Sequence, residues 1–483
     1  MSSDHKILRN ADTGLVIDFT GTVASDSEEM GPSLAAMAAL ESGAMANADE
    51  GRQVGHYWLR APSKAPDPAI AQKIRDTNER IRNFDPEWCD TVLMLGVGGS
   101  ALGPELALDA LRPKDGRKFL LIDTVDPAGI HRTLEDMDPR TTLVVVASKS
   151  GGTVETRQAL RIVEDLFIQS AVIFKDHAVA ITSPGSALEA LAVDWSAVFH
   201  VWEWVGGRTS VTSAIGLLPM HLCGVDTEAF LAGARDMDTW TRQPFPDNPA
   251  AHLASVWIDS NKSSLAVIPY CDPLRHLSRY LQQLIMESLG KAQDRKGERI
   301  HAGLTVFGNK GSADQHAIVQ QLRDGPDDVI VHLIECAATA GETSLLSDAA
   351  DLQFALFSGT RDAMVEVGRP TVSISIPHMT PGTLGALIAL FERTVGIAAE
   401  LLDINAYNQP GVEAGKRAAR FQLDQLKVVE GHLNDNPFTA KEIANTLGLN
   451  TQTVWRLCVH LTNMGRAKCD RGKSAFNDLF RAP

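Results

Sequence analysis

Short, continuous apolar runs recur along this chain, and each breaks off into a loop of glycine and small hydroxyl residues before a helical pattern resumes. Thr91-Val92-Leu93-Met94-Leu95 runs into Gly96-Val97-Gly98-Gly99-Ser100-Ala101-Leu102-Gly103-Pro104, and the run from Thr142 to Ala147 runs into Ser148-Lys149-Ser150-Gly151-Gly152-Thr153. Runs that do not alternate with polar residues read as strands buried on both faces, which is the pattern of parallel sheets. Phe119 to Asp123, Ala178 to Thr182 and Phe199 to Trp204 continue the series, with a helix-like stretch from Pro127 to Glu135 between two of them. Repeated alternation of strand and helix implies a parallel sheet with right-handed crossovers. A second series begins near residue 250, with strands expected at Ser264 to Pro269, Leu304 to Phe307, Val329 to Leu333 and Thr371 to Ile376. The fold class is therefore α/β, with two doubly wound parallel sheets.

In such sheets the loops leaving the carboxyl ends of the strands gather along one edge, so the loops at 96–103 and 148–153 are expected to share a crevice. Ser148, Ser150 and Thr153 offer hydroxyls there, the glycines allow close approach of the backbone, and the amides opening the next helix point the same way. That combination suits an anion, best a phosphate; equally, Ser, Thr and Gly gather at any tight strand-to-helix turn because they cap helices. Neither G-x-x-x-x-G-K-[ST] nor G-x-G-x-x-G occurs in the stretch from 145 to 156, so neither ATP nor NAD is suggested. Arg208 follows Gly206-Gly207 and precedes the apolar helix Ala214 to Leu222, a position suited to an anion or a developing negative charge.

Gln283 and Glu287 are four residues apart in an otherwise apolar helical stretch and so share a helix face. A lone glutamate so placed is more often a solvated surface group. His316, in Gly311-Ser312-Ala313-Asp314-Gln315-His316, is expected in a first helical turn, where the dipole favours the neutral imidazole; taken alone it is more often a capping or packing residue. Lys416 lies in a helix that begins near Asn408.

Charge narrows the field. Across 483 residues, 45 Lys and Arg stand against 60 Asp and Glu, a formal charge of −15. Such a surface does not attract nucleic acid or an anionic membrane as a whole, so an anionic ligand must be gripped locally. The six cysteines, Cys89, Cys223, Cys271, Cys336, Cys458 and Cys469, show no metal-ligand or disulfide-framework spacing, which points to a reducing compartment. No apolar segment reaches the length of a membrane span and the first twenty residues lack a signal-peptide core, so a cytoplasmic location is expected.

Several strings occurring together are more specific than any one. Gly96 to Pro104 (GVGGSALGP), Ser148 to Thr156 (SKSGGTVET), Gly206 to Pro219 (GGRTSVTSAIGLLP), Met286 to Lys291 (MESLGK), Gly311 to His316 (GSADQH) and Gln409 to Lys416 (QPGVEAGK) follow one another in a fixed order. From about residue 60 to 428 the chain resembles the glucose-6-phosphate isomerase (phosphoglucose isomerase) family, whose members carry two sugar-isomerase domains. The resemblance implies that Ser100, Ser148, Lys149, Ser150 and Thr153 hold a substrate phosphate, with Gly98, Gly99, Gln283 and Gln409 completing the substrate site. It implies Glu287 as the base that carries a proton between C2 and C1 through a cis-enediol, and Arg208 as the cation that stabilises that intermediate. His316 and Lys416 match residues that assist ring opening, and Glu155 matches an acid near the histidine. Such chemistry calls for neither a metal nor a redox cofactor. The resemblance also implies a homodimer in which His316 reaches the neighbouring subunit's site. Leu289, Gly152 and Ser312-Ala313-Asp314 depart from the common family pattern without removing a proposed catalytic group.

The expected organisation is an N-terminal segment to residue 60 packing on the core, a first sugar-isomerase domain at 61–250, a second at 251–428, and an appendage at 429–483. In the last, Thr439 precedes one helix, Gly448 to Asn450 makes a turn, and Thr451 begins another, the spacing of a helix-turn-helix with a winged end. Residues 431–483 contain seven Lys and Arg against four Asp and Glu, about +3, while the remainder is about −18. So weak a net charge favours a packing role over nucleic-acid binding. An enzyme acting on glucose 6-phosphate and fructose 6-phosphate is the leading expectation; the alternative is a sugar-phosphate-sensing regulator whose C-terminal unit reads DNA.

Overall fold

The computed structural model describes residues 7–19, 22, 30–111, 113–336 and 344–483. By contact the chain divides into a unit ending at Asn408 and a second unit from Gln409 to Pro483. In the first unit, β1 (Ile7–Arg9) and β2 (Val16–Asp18) are followed by β3 (Thr91–Leu95), β4 (Lys118–Ile122), β5 (Thr142–Ala147), β6 (Ala178–Thr182) and β7 (Ala197–His200). Strands β3 to β7 form one wholly parallel sheet in the order β4-β3-β5-β6-β7. All of β3, β5 and β6 is buried, as runs of Val, Leu, Ile and Ala without polar alternation require.

The rest of this unit contributes β8 (Ser264–Tyr270), the hairpin of β9 (Lys291–Gln293) and β10 (Arg299–Ala302), β11 (Thr305–Phe307), β12 (Val329–Cys336) and β13 (Thr371–Ile376). The second sheet has the order β1-β2-β13-β12-β8-β11. Its four later strands are parallel, but β2 pairs antiparallel with β13 and β1 antiparallel with β2. The sheet is therefore mixed, because residues from the start of the chain close its edge. The expected strand over Phe199 to Trp204 ends at His200; beyond it Trp202 stacks on Trp204 at 5.1 Å between ring centroids, and this side-chain packing replaces sheet pairing.

The helix Pro381–Leu401 is buried from Thr383 to Ala399 and packs against Thr227–Trp240 and Pro249–Asp259. Into this apolar layer the N-terminal segment inserts charge. Arg60, fully buried in the string His56–Arg60, donates to Asp238 Oδ1 at 2.8 Å and also pairs with Glu392. Arg393 Nε lies 3.0 Å from the same Asp238 oxygen, and its guanidinium pairs with Glu41, which also holds Arg242 at 2.7 Å. Burial would raise the Glu41 carboxyl, but Arg393 and Arg242 outweigh it and hold the group below its ordinary range. The segment before residue 60 is thus tied to two core helices by ions that cannot be separated cheaply.

Removing the shared anion leaves two buried guanidiniums without it. Asp238→Ala is expected to cost about 3–5 kcal/mol of unfolding free energy, read from the shift of a urea denaturation midpoint. A loss below about 1 kcal/mol would show that the network does not tie the segment down.

Candidate active site

The loops leaving β3 and β7 meet backbone to backbone. After β3 the chain turns through a 3₁₀ segment, Gly98–Ser100, with Gly98 at φ +59°, and after β7 it turns through another, Gly207–Thr209. A Cβ on Gly99 would lie 2.1 Å from the Gly207 carbonyl oxygen, so only glycine allows this approach. Ser210 fastens it, its hydroxyl donating to Gly207 O at 2.7 Å and to Gly99 O at 3.2 Å. The loop after β5 joins the same edge. Lys149 donates from Nζ to the carbonyls of Glu203 and Val205 at 2.8 and 3.0 Å. Its ammonium therefore braces the loop after β5 against the loop that carries Arg208. Burial first, and then nearby Arg52, bring Lys149 down to about 8.

In the loop after β5, Ser148 is buried and accepts from Gly151 N at 3.2 Å while donating to Thr153 Oγ1 at 3.3 Å. Ser150 is exposed, accepting from Gly152 N at 3.1 Å, and half-buried Thr153 opens the helix Val154–Gln169 without capping it through its side chain. Thr153 stands at the amino end of that helix, whose first amides have no intrahelical acceptor, and Ser100 on the loop after β3 is half-buried. Glu155 is exposed in the first turn of the same helix.

Arg208 is buried, its side chain only 6% exposed, and reaches from the first loop cluster to residues of the second sheet's half. Nη1 donates to Ala406 O at 3.3 Å, Nη2 to Asn408 O at 3.2 Å, and Nε lies 3.4 Å from Glu287 Oε2. Burial lowers the arginine, offset by Glu287, and leaves it a cation. Glu287 stands at the end of a π-helical turn, Gln282–Met286, rather than within the regular α-helix that its spacing suggests. The wider turn still leaves Gln283 Nε2 3.4 Å from Glu287 Oε1. Glu287 Oε2 is buried with no hydrogen-bond donor, its Arg208 contact being ionic only. Glu287 is thus not a solvated surface group but a half-buried carboxylate paired with Arg208, with one oxygen that accepts no hydrogen bond. Gln283 approaches the other wall as well: a Cβ on Gly98 would sit 3.1 Å from its Nε2.

Lys291, in the string MESLGK, donates to Glu287 O at 2.6 Å and Asn408 O at 3.2 Å. Burial, then Arg208, bring it down to about 8, against the pull of Glu287. Arg52 and Lys291 are site residues that the sequence alone does not single out. Arg52 lies in a segment without periodicity, and it enters the site by donating to Tyr407 O at 2.8 Å. Lys291, sitting inside a recognised string, carries the better signal.

His316 does not join this cluster within the chain. The helix expected to contain it is only Gly311–Asp314, so His316 follows it in a turn and not in a first helical turn, and it is exposed. Gly311 packs so closely on the Tyr270 ring that the helix starts there, one or two residues earlier than Ser312 or Ala313. Gln409 and Lys416 belong to the second unit; Gln409 is exposed, and the Lys416 side chain lies outside the described residues.

Three loops at the carboxyl ends of parallel strands and a carboxylate faced by a buried arginine, set on two α/β sheets, define a protein of the sugar-isomerase fold. The model of the phosphoglucose isomerase family matches residues 28–441, and the chain belongs to that family. It is 44% identical to glucose-6-phosphate isomerase of Geobacter sulfurreducens, with 94% of this chain and 93% of the relative covered. It is 45% identical to that of Synechococcus sp. strain JA-3-3Ab, with 90% and 87% covered. A solved glucose-6-phosphate isomerase of Chlamydia trachomatis superposes with a TM-score of 0.78 at 25% identity, over 86% of this chain and 89% of that one.

Because Gly99 abuts Gly207, any side chain at 99 must drive apart the loops that carry Ser100 and Arg208. Gly99→Ala is expected to lower isomerase kcat/KM by about 100-fold, the cost of roughly 1 Å of misplacement. Near-normal turnover, with both loops unmoved in a crystal structure of the variant, would contradict this account.

Proposed function

We propose that the protein interconverts glucose 6-phosphate and fructose 6-phosphate, with Glu287 as the proton carrier between C2 and C1. The observation that carries this reading is the disposition of Glu287: one carboxylate oxygen accepts no hydrogen bond and is held only by the Arg208 guanidinium, at 3.4 Å. An aldose–ketose shift needs one base that removes a proton from one carbon and returns it to the neighbour. It also needs a fixed cation where negative charge accumulates on the enediol oxygens, and Arg208 is fixed by the carbonyls of Ala406 and Asn408 before substrate arrives.

The 6-phosphate is held by the hydroxyls of Ser100, Ser148, Ser150 and Thr153 together with the amides opening Val154–Gln169, with Gly98 and Gly99 lining the approach. Lys149 contributes by bracing that loop and by its charge. Gln283 orients both substrate and the Glu287 carboxylate, and Gln409 supplies a further substrate contact. His316 and Lys416 assist opening of the sugar ring. His316 is exposed, which leaves it free to serve a neighbouring subunit in a homodimer. Cys89, Cys223, Cys271, Cys458 and Cys469 stand as thiols, which supports a reducing, cytoplasmic setting.

A coupled assay starting from fructose 6-phosphate tests the central assignment. Glu287→Gln keeps the shape and loses the base, so kcat is expected to fall by about 10²–10⁴-fold with little change in KM. Full activity in that variant would remove Glu287 from the mechanism.

The lysines give a second, independent signature. Lys149 and Lys291, each brought down to about 8, are charged below that pH and lose their protons above it. Turnover should therefore decline as pH rises through about 8, and Lys291→Arg, which stays charged, should move the alkaline limb of kcat/KM upward. A limb that stays put in both Lys149→Arg and Lys291→Arg would assign it to another group.

A further inference from the structure

The second unit, Gln409–Pro483, has a core of its own, in which Val429, Ala440, Ile443, Val454, Leu461 and Phe480 pack together. More than half of it lies beyond residue 441, where the match to the family model ends, although the similarity to the Geobacter sulfurreducens relative, over 94% of the chain, runs on into it. Its elements run in the order helix Gly411–His432, β14 (Phe438–Thr439), helix Ala440–Leu447, helix Thr451–Asn463, β15 (Lys468–Asp470) and β16 (Leu479–Arg481). The three strands form an antiparallel sheet in the order β14-β16-β15. This is a winged helix-turn-helix, with the loop 471–478 as the wing.

Local chemistry fixes each joint. Thr439 and Glu442 form a reciprocal capping box at the start of Ala440–Leu447, Gly448 ends that helix at φ +67°, and Asn450 caps the next by accepting from Thr453 N at 3.1 Å. Helix Thr451–Asn463 buries Val454, Leu457, Cys458 and Leu461. Its opposite face exposes Gln452, Arg456, His460 and Asn463, spaced four, four and three residues apart in one stripe. Trp455 meets Phe476 at 6.2 Å between centroids, which holds the wing beside this helix.

Net charge understates the electrostatics of this surface. Glu442 is engaged by Thr439 N at 2.8 Å, Asp470 by Arg481 at 3.4 Å, and Asp478 by Gly472 N at 3.0 Å. Exposed Arg456, Lys468, Arg471 and Lys473 have no carboxylate partner among the described residues. These acids keep their charge and Asp435 is exposed as well, but no acid stands in helix Thr451–Asn463, whose stripe carries Arg456, and the wing carries Arg471 and Lys473.

We propose that this unit binds duplex DNA, with helix Thr451–Asn463 in the major groove and the wing on adjoining phosphates. A helix of about 10–12 Å diameter fits a groove about 12 Å wide. Arg, Gln and Asn are the side chains that reach base edges there, and the wing cations meet the phosphates that set register. The proposal does not rest on the isomerase chemistry, which uses none of these residues.

The test uses the full-length protein and a fluorescent random-sequence 20-base-pair DNA duplex, titrated by anisotropy at several salt concentrations from 50 to 200 mM. Binding is expected at 50 mM salt and should weaken steeply with salt. The triple variant Arg456→Ala, Arg471→Ala, Lys473→Ala should bind at least about tenfold more weakly, and its slope of log K against log salt should be shallower by about 2. Isomerase turnover should be unchanged in that variant, which also reports that the chain is folded. If the triple variant loses helical circular dichroism, Gln452→Ala with His460→Ala replaces it, with weakened binding to a selected sequence as the expected result. No binding at 50 mM salt, equal binding by the folded variant, or tighter binding of single-stranded RNA than of the duplex would overturn the proposal.

Discussion

The site depends on one contact that contains no side chain. Gly99 and Gly207 touch through their backbones, where a Cβ would fall 2.1 Å from a carbonyl oxygen. Interiors do not deform smoothly to admit a methyl group. The loops after β3 and β7 are therefore at a fixed separation before any ligand arrives, and the residue next to each glycine inherits that placement. Ser100 comes one residue after Gly99 and Arg208 one residue after Gly207. A hydroxyl and a guanidinium thus share one rigid corner; in the reaction proposed above they meet the phosphate and the developing anion, and such preorganisation is what lets fixed charge act in catalysis without reorganising.

From that corner the geometry propagates through cations that donate to carbonyls rather than to acids. Lys149 reaches Glu203 O and Val205 O, Arg208 reaches Ala406 O and Asn408 O, and Lys291 reaches Glu287 O and Asn408 O. Carbonyls offer only a partial charge, so Lys149 and Lys291 are positioned by groups that do not cancel them, while Arg208 alone of the three also faces an acid, Glu287. The acid that does face Arg208, Glu287, is held by an ion pair at 3.4 Å without a hydrogen bond on that oxygen.

Most of the two sheets could be read from the chain because parallel strands buried on both faces announce themselves as unbroken apolar runs. β3, β5, β6 and β13 fall where their runs lie, with the loops that succeed them. What could not be read depends on partners far away in sequence. Nothing around Val16–Asp18 indicates that it pairs with Ser373–Ser375 across the whole length of the first unit. Arg60 sits in an apolar string and becomes intelligible only with Asp238 and Glu392 beside it. The π-turn at Gln282–Met286 is invisible to periodicity, since a single i→i+5 turn leaves the flanking apolar spacing almost unchanged. The strings MESLGK and GGRTS locate Glu287 and Arg208, but the ion pair between them exists only in three dimensions.

The same distinction between sums and positions governs the C-terminal unit. An excess of about three positive charges over residues 431–483 is a weak argument for any polyanion if the charges are spread evenly. They are not spread evenly, because helix Thr451–Asn463 contains no acid and exposes Arg456, while Glu442 lies in the preceding helix and Asp470 is paired with Arg481. One helix face and one loop therefore carry Arg456, Arg471 and Lys473 outward. Composition bounds the field at a distance, whereas a ligand within a Debye length of about 8–10 Å responds to the charges it actually faces. On that scale the unit presents to solvent the opposite sign from the chain that carries it.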